Sequence, residues 1–260
     1  MTSLTDSALP TGSSILAGSS ILTGSSILTG SSILVTGASG VLGGEIARLL
    51  AAKGARLVLT GRDRTRLEAL GLPGSLIVAD LRDPAAADAL VEHALDANGT
   101  LDGIVNASGV VAFGPASAIG DDTLETLFAV NTLAPMRLLR AGSVALTASA
   151  AAGREPFVLT LSGVVSEVPT AHMAAYSASK AALAAWGKAT GRELRRAGIR
   201  VFDARPGHTE TGLVSRALEG SAPKLAQGLD PALVARRIVA AIVNGERDLP
   251  SAAFAEPVVD

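Results

Sequence analysis

The sequence predicts an α/β domain in which a doubly wound parallel sheet is covered by helices on both faces. Three observations lead there: six short aliphatic runs, each followed by a helical pattern or a long loop; a glycine-rich turn directly after the first run; and helix starts marked by Asp, twice with Pro behind it. Runs of four or five aliphatic residues without polar alternation are buried on both faces, and strand–helix–strand units cross over right-handedly into a parallel sheet. The composition agrees. The chain has 260 residues, 48% hydrophobic against 18% charged, so a large core is available, and with only 3% aromatic residues that core is built from small aliphatics.

The chain enters through a hexapeptide repeat, with GSSIL beginning at Gly12, Gly18, Gly24 and Gly30. Six is a multiple of the strand period, so in an extended chain Ile15, Ile21, Ile27 and Ile33 share a face, and Gly with two Ser per unit is poor helix material. The repeat reads as a tandem duplication of the lead-in to the first strand. Residues 1–30 then form a flexible or loosely docked tail, with an added edge strand or a subunit contact as the alternatives. Only the fourth copy runs into Val35-Thr36-Gly37, so it is the strand itself and the domain spans 31–260.

From there strand 33–35 leads to a helix over 43–52, and strand 57–60 to a helix over 63–70 capped by Asp63. Strand 76–79 leads to a helix over 84–97, with Asp83 as cap and Pro84 at the first helical position. Strand 103–106 precedes one long helix over 121–146, and strand 157–161 precedes another over 171–197. Strand 199–203 is followed by a loop, 213–229, with Gly220, Pro223 and Gly228, and by a helix over 230–243 capped by Asp230 before Pro231. No linker interrupts 32–250, so one domain is expected.

Several functions are disfavoured at once. A formal charge of −2 with scattered basic residues argues against nucleic acid. The chain has no Cys, hence no disulfide, thiolate site or Cys nucleophile, and His93, His172 and His208 lie too far apart to suggest a metal site. The first ten residues carry Asp6 and no Lys or Arg, and no apolar run reaches membrane-spanning length, so no leader and no membrane are expected and the cytoplasm is the expected location.

The turn after the first strand, Thr36-Gly37-Ala38-Ser39-Gly40-Val41-Leu42-Gly43, opens a helix, which is the setting of a phosphate-cradling loop. At the end of the second strand an acidic residue would take a ribose 2′-hydroxyl; here Thr60-Gly61-Arg62 offers a guanidinium suited to a 2′-phosphate, or a residue simply solvated beside Asp63. NADP(H) is therefore favoured, with NAD(H) possible. Asp80, followed by Leu81, either accepts from the adenine amino group or caps the turn before Pro84.

Tyr176 and Lys180, four apart on a helical pattern, share a face. A phenol titrates near 10, and a neighbouring cation favours its ionised form, so the two make a plausible acid/base unit. With the glycine loop, Asn106-Ala107-Ser108-Gly109 after the fourth strand, Val130-Asn131 in the next helix and Pro206-Gly207 after the sixth strand, the order and spacing resemble the short-chain dehydrogenase/reductase family over residues 32–250. The resemblance implies a single Rossmann-type domain transferring a hydride between NADP(H) and a small carbonyl or alcohol substrate, and a homodimer or homotetramer built on the long helices. It implies that Tyr176 exchanges the proton with the substrate oxygen, that Lys180 holds the nicotinamide ribose and lowers the Tyr176 pKa, and that Asn131 supports a water relay. Gly37, Ser39, Gly40, Val41, Leu42, Gly43, Asn106, Ala107, Ser108, Gly109, Pro206, Gly207, Thr209 and Thr211 would lie along the cofactor.

Two positions depart from the family. The loop's middle glycine would fall at Val41 and has moved to Gly40; the family's catalytic serine would fall at Gly163. Ser162, at the strand end, is expected to take that serine's place, with Ser166 as the fallback. The rival reading is a dinucleotide-binding sensor or scaffold with little catalysis. His208 either lines the pocket or sits in the loop without a role; Trp186 packs inside or at a subunit contact; and 213–229 is expected to be a mobile lid over a rather apolar substrate.

Overall fold

A computed structural model describes residues 28–255. Six parallel strands form one sheet in the order β3-β2-β1-β4-β5-β6: β1 (Ser32–Thr36), β2 (Arg56–Gly61), β3 (Ser75–Val78), β4 (Gly103–Asn106), β5 (Phe157–Leu161) and β6 (Arg200–Ala204). The order reverses between β1 and β4, the point at which such sheets open a crevice at the strands' carboxyl ends. The fourth repeat is β1, as its sequence context requires. The first two repeats and the start of the third lie outside the described residues; of the segment read as tail, Leu28, from the third repeat, is 1% exposed in the core, and the Gly30 N–H donates to the Gly54 carbonyl at 2.8 Å.

Helices α1 (Val41–Ala52) and α7 (Pro231–Val243) cover one face, and α3 (Ala86–Asn98), α5 (Ala134–Ala151) and α6 (Ala174–Glu193) the other. Strand residues alternate between them. Ile33 and Val35 pack towards α1 and α7 with Leu57, Leu59, Phe157 and Phe202; Leu34 packs towards α3 and α5 with Val58, Ile104, Val158 and Val201. Trp186 joins the second layer.

Two helix expectations need correction. The segment read as one helix over 121–146 is α4 (Asp121–Phe128), a π-helical turn (Ala129–Leu133) and α5, with Asn131 inside the turn. A π turn rotates the side chains on its two sides relative to each other, and such turns occur at functional sites. Asp83 does not cap α3: its Oδ1 accepts from the Ala85 N–H at 2.9 Å in a preceding turn, and α3 starts two residues after Pro84 with no side-chain cap. Asp63 and Asp230 do cap, accepting from Arg66 and Ala232, for α2 (Arg64–Glu68) and α7.

Candidate active site

The registers place Thr60, Thr36, Asn106, Thr160 and Asp203 side by side across β2, β1, β4, β5 and β6. All five are buried, and their parity puts them on the face covered by α3, α5 and α6. Thr36 Oγ1, Thr60 Oγ1 and Asn106 Oδ1 have no hydrogen-bond partner among the described residues, although Asn106 Nδ2 donates to the Leu159 carbonyl at 3.1 Å. Buried polar atoms are rarely left unpaired, so three together at the carboxyl ends of neighbouring strands mark a place where something else binds.

The glycine loop adjoins them. Gly37 has φ 68°, and a Cβ there would come within 2.7 Å of the Ala107 and Ser108 backbone; at Gly43 it would meet the Gly37 carbonyl oxygen at 2.3 Å. The loop is thus folded tightly against α1 and against the chain leaving β4. Ser39 lies so close to Gly61 that a Cβ there would be 2.4 Å from its Oγ. Gly40 precedes α1 without a side-chain cap, which leaves the first N–H groups for an anion, while Val41, where the family has glycine, stands 41% exposed and Leu42 is half-buried. Orphaned atoms, a backbone that admits no side chain and an open helix start together fit a dinucleotide.

At the adenosine end Arg62 is exposed and its charge reaches Asp80. Asp80 is engaged by Arg82, whose NH2, Nε and backbone N–H donate to it at 2.5, 2.9 and 3.0 Å. The Arg82 hydrogen bonds hold its carboxyl below the usual carboxylate range, and the bond from the Arg82 backbone N–H, with the Asp83 N–H donating to the Asp80 carbonyl at 3.0 Å, makes Asp80 a cap of the turn before Pro84. Leu81 is buried in the second core layer.

Tyr176 is half-buried against Val110, Ala112, Leu127 and Val130. The Lys180 Nζ lies 6.0 Å from its ring centroid and donates to the Leu161 carbonyl at 2.7 Å. Asn131 accepts from the Val110 N–H and donates to the Val110 carbonyl, both at 2.9 Å, and to Ser179 Oγ at 3.1 Å. Ser179 in turn donates to the Tyr176 carbonyl. Asn131 therefore ties the 110 segment to the turn of α6 that bears both Tyr176 and Lys180, and Gly109 leaves room beside them: a Cβ there would be 3.5 Å from Lys180 Nζ. Burial pushes the Tyr176 phenol up to about 12, and burial lowers Lys180 to about 8, with Asp203 opposing. The direction at Tyr176 is thus set by burial, which outweighs the lowering expected from a cation 6.0 Å from the ring centroid.

Ser162 is not placed as expected. Its side chain is 0% exposed, and its hydroxyl lies 2.5 Å from Asp203 Oδ2 on β6 and 2.9 Å from the Oγ of Ser166, the fallback serine. Gly163 has φ 76° and ψ 167°, a conformation almost confined to glycine, so the family serine has no relaxed backbone here. Ser166 is half-buried and its Oγ donates to the Gly163 carbonyl at 2.8 Å.

Beyond β6, the Pro206 carbonyl accepts from Val164 N–H, the Gly207 carbonyl from Thr209 Oγ1, and the Thr211 carbonyl from Arg216. Thr209 bridges to Leu229, and His208, 3.5 Å from Glu210, helps line an apolar cleft with Leu225, Leu229 and Phe254. The expected lid is tied down: Leu218 N–H donates to Val111 and Phe113 N–H to Glu219 at 2.8 and 2.9 Å, and Gly220 fits where a Cβ would strike the Phe113 carbonyl oxygen at 2.0 Å.

The residues that sequence reasoning missed are Thr160, Asp203, Arg205 and Glu167. Arg205 bonds Asp203, Glu167 and Asp248, and Ser251 donates to Glu167 at 2.5 Å. The signal was an Asp and an Arg closing the otherwise apolar strand Val201-Phe202-Asp203-Ala204-Arg205.

Residues 31–221 match the family model for short chain dehydrogenase. The 2,3-dihydro-2,3-dihydroxybenzoate dehydrogenase of Bacillus subtilis is 31% identical over 186 residues, 69% of this chain and 70% of that one. Among solved structures, the 3-ketoacyl-(acyl-carrier-protein) reductase of Brucella melitensis, complexed with NADH, superposes with TM-score 0.78 at 25% identity, over 86% of this chain and 97% of its own. A short chain dehydrogenase from Burkholderia cenocepacia in complex with NADP gives 0.74 at 28%, over 87% and 99%.

Proposed function

The chain belongs to the short-chain dehydrogenase/reductase family of oxidoreductases, and on that premise we propose that it is an NADP(H)-dependent enzyme interconverting a carbonyl and an alcohol. The observation that carries this is the Lys180 ammonium 6.0 Å from the Tyr176 ring centroid with open space at Gly109 beside it, three residues along the chain from Asn106 and its unpaired oxygen. The dinucleotide supplies or accepts the hydride. Thr36, Thr60, Asn106 and the loop from Gly37 to Gly43 hold it; its binding by similar proteins of solved structure supports this.

In reduction, Tyr176 gives its phenolic proton to the substrate oxygen. A phenol pushed up to about 12 is fully protonated at neutral pH and so begins as the donor. Lys180, lowered to about 8 but still mostly charged at pH 7, steadies the negative charge that the phenol then takes on. Asn131 acts by fixing the Val110 backbone and α6 relative to each other. Ser166 takes the donor role for which Ser162 is too deeply buried. Arg62 meets the 2′-phosphate and sets the preference for NADP(H). Outward-facing Val144 on α5, 81% exposed, supports assembly through the long helices.

Tyr176→Phe tests the reading: turnover of a ketone and aldehyde panel should fall by about 10²- to 10⁴-fold with NADPH binding retained. Unchanged turnover overturns it. Gly163 without a side chain favours one other reading, a dinucleotide sensor; wild-type protein that binds NADPH but oxidises it with no member of the panel would establish that instead.

A further inference from the structure

Asp203 has no part in the proton transfer just described, yet it is a carboxylate 5% exposed within the site's walls. Its Oδ1 accepts from Thr160 Oγ1 at 2.7 Å and from the Ser162 backbone N–H at 3.1 Å. Its Oδ2 accepts from Ser162 Oγ at 2.5 Å and from Arg205 at 3.3 Å. The Ser162 N–H belongs to the same planar amide as the Leu161 carbonyl, and that carbonyl is the one that accepts from Lys180 Nζ at 2.7 Å. One peptide group therefore stands between an ammonium and a carboxylate, its oxygen on the cation and its N–H on the anion. Hydrogen bonds in such a chain polarise each other, and in a buried setting they are poorly screened.

We propose that Asp203 is the counter-charge of Lys180, coupled to it through the peptide group joining Leu161 and Ser162. It is a positioning residue: it touches neither substrate nor cofactor and acts on the ammonium and on the end of β5. The inference rests on the reading of Tyr176 and Lys180 as the acid/base pair. Every charged group around Asp203 fits the assignment. Lys180 faces it from α6 and Arg205 from just beyond its own strand; Glu167, after β5, is held by Arg205 Nε, and Asp248, after α7, by Nη2 and by Nη1, the nitrogen that also reaches Asp203. Lys180 itself faces the Tyr176 ring and, through the amide, Asp203. Burial draws the ammonium down and the carboxylate opposes it, whereas burial raises the Asp203 carboxyl against the hydrogen bonds from Ser162 and Thr160 and the charge of Arg205. Arg205 thus competes with Lys180 for one carboxylate.

The test is the Lys180 titration, read directly by NMR of the full chain carrying ¹³Cε-labelled lysine. Only Lys53, Lys180, Lys188 and Lys224 contribute, and Lys180→Met identifies the resonance. Asp203→Asn, which keeps an acceptor, should lower the Lys180 midpoint by about one pH unit, a tenfold change in acidity, with the other three lysines unmoved. Arg205→Met should raise it, since the carboxylate then loses the cation that competes with Lys180 for it. Ser162→Ala keeps the amide and should move it far less than Asp203→Asn. A midpoint unchanged in Asp203→Asn overturns the proposal; where that variant does not fold, an unchanged midpoint in Arg205→Met does so. If Tyr176→Phe keeps full turnover, the acid/base reading fails, and the Lys180 midpoint still decides whether Asp203 is its counter-charge.

Discussion

Thr60, Thr36 and Asn106 stand in one row with Thr160 and Asp203, at the same depth and on the same face of the sheet, yet the two parts of that row are finished differently. On β2, β1 and β4 the polar atoms are buried and unpaired. On β5 and β6 they are saturated, with Asp203 alone accepting four hydrogen bonds from Thr160, Ser162 and Arg205. The first part sacrifices fold stability to keep acceptors and donors for a ligand; the second closes on itself and holds the floor under Lys180. A buried polar group without a partner costs roughly 1–3 kcal/mol, so the open part is tolerated only where binding returns it.

Substitutions should separate the two parts by what they damage. The largest effect is expected from Asp203→Leu, which leaves Arg205, the Thr160 hydroxyl and the Ser162 N–H facing an apolar group. Breaking a buried charge pair costs about 3–5 kcal/mol, so the melting temperature should fall by about 10 °C or more in calorimetry. Next, Arg62→Asp should raise the KM for NADPH by about 10- to 100-fold, with little change for NADH, in steady-state kinetics. An equal rise for both cofactors would remove Arg62 from the 2′-phosphate. Thr36→Val should act with opposite signs: about 1 kcal/mol more stability without ligand, seen as a raised melting temperature, and weaker NADPH binding by titration calorimetry. A loss on both measures would mean that the hydroxyl serves the fold.

The smallest effect concerns pH. Burial acts to raise the Glu167 carboxyl, but the hydrogen bonds from Ser251 and Arg205 outweigh it and hold the group below its ordinary value. A carboxyl depressed in the folded state contributes stability above its unfolded pKa and loses it as pH falls. The melting temperature of Glu167→Gln should therefore lie below wild type at pH 6, with the difference narrowing as the pH falls below the ordinary glutamate range. A gap that persists in acid would assign the loss to packing.

Much of this architecture is legible in the sequence. Local spacing places all six strands to within a residue or two, because uninterrupted aliphatic runs have few alternatives in a buried sheet. The π turn at Ala129–Leu133 is not legible, since nothing in the Ala-Val-Asn-Thr-Leu pattern departs from an ordinary helix, and the shift is set by what Asn131 reaches on other segments. Nor is the direction of the Ser162 hydroxyl, whose partner lies 41 residues away on β6. The glycine loop and the Tyr176–Lys180 pair are local patterns and visible as such; the charge cluster behind them is assembled by topology.

The backbone at Gly163 constrains any attempt to place a serine there. With φ 76° and ψ 167°, the position has a shape that a serine would enter only by bending the turn back. Gly163→Ser would thus deliver a hydroxyl on a misdirected stem, and it needs a second change nearby before it is of use. Engineering a hydroxyl at this place should accordingly succeed only when position 163 is varied together with its neighbours.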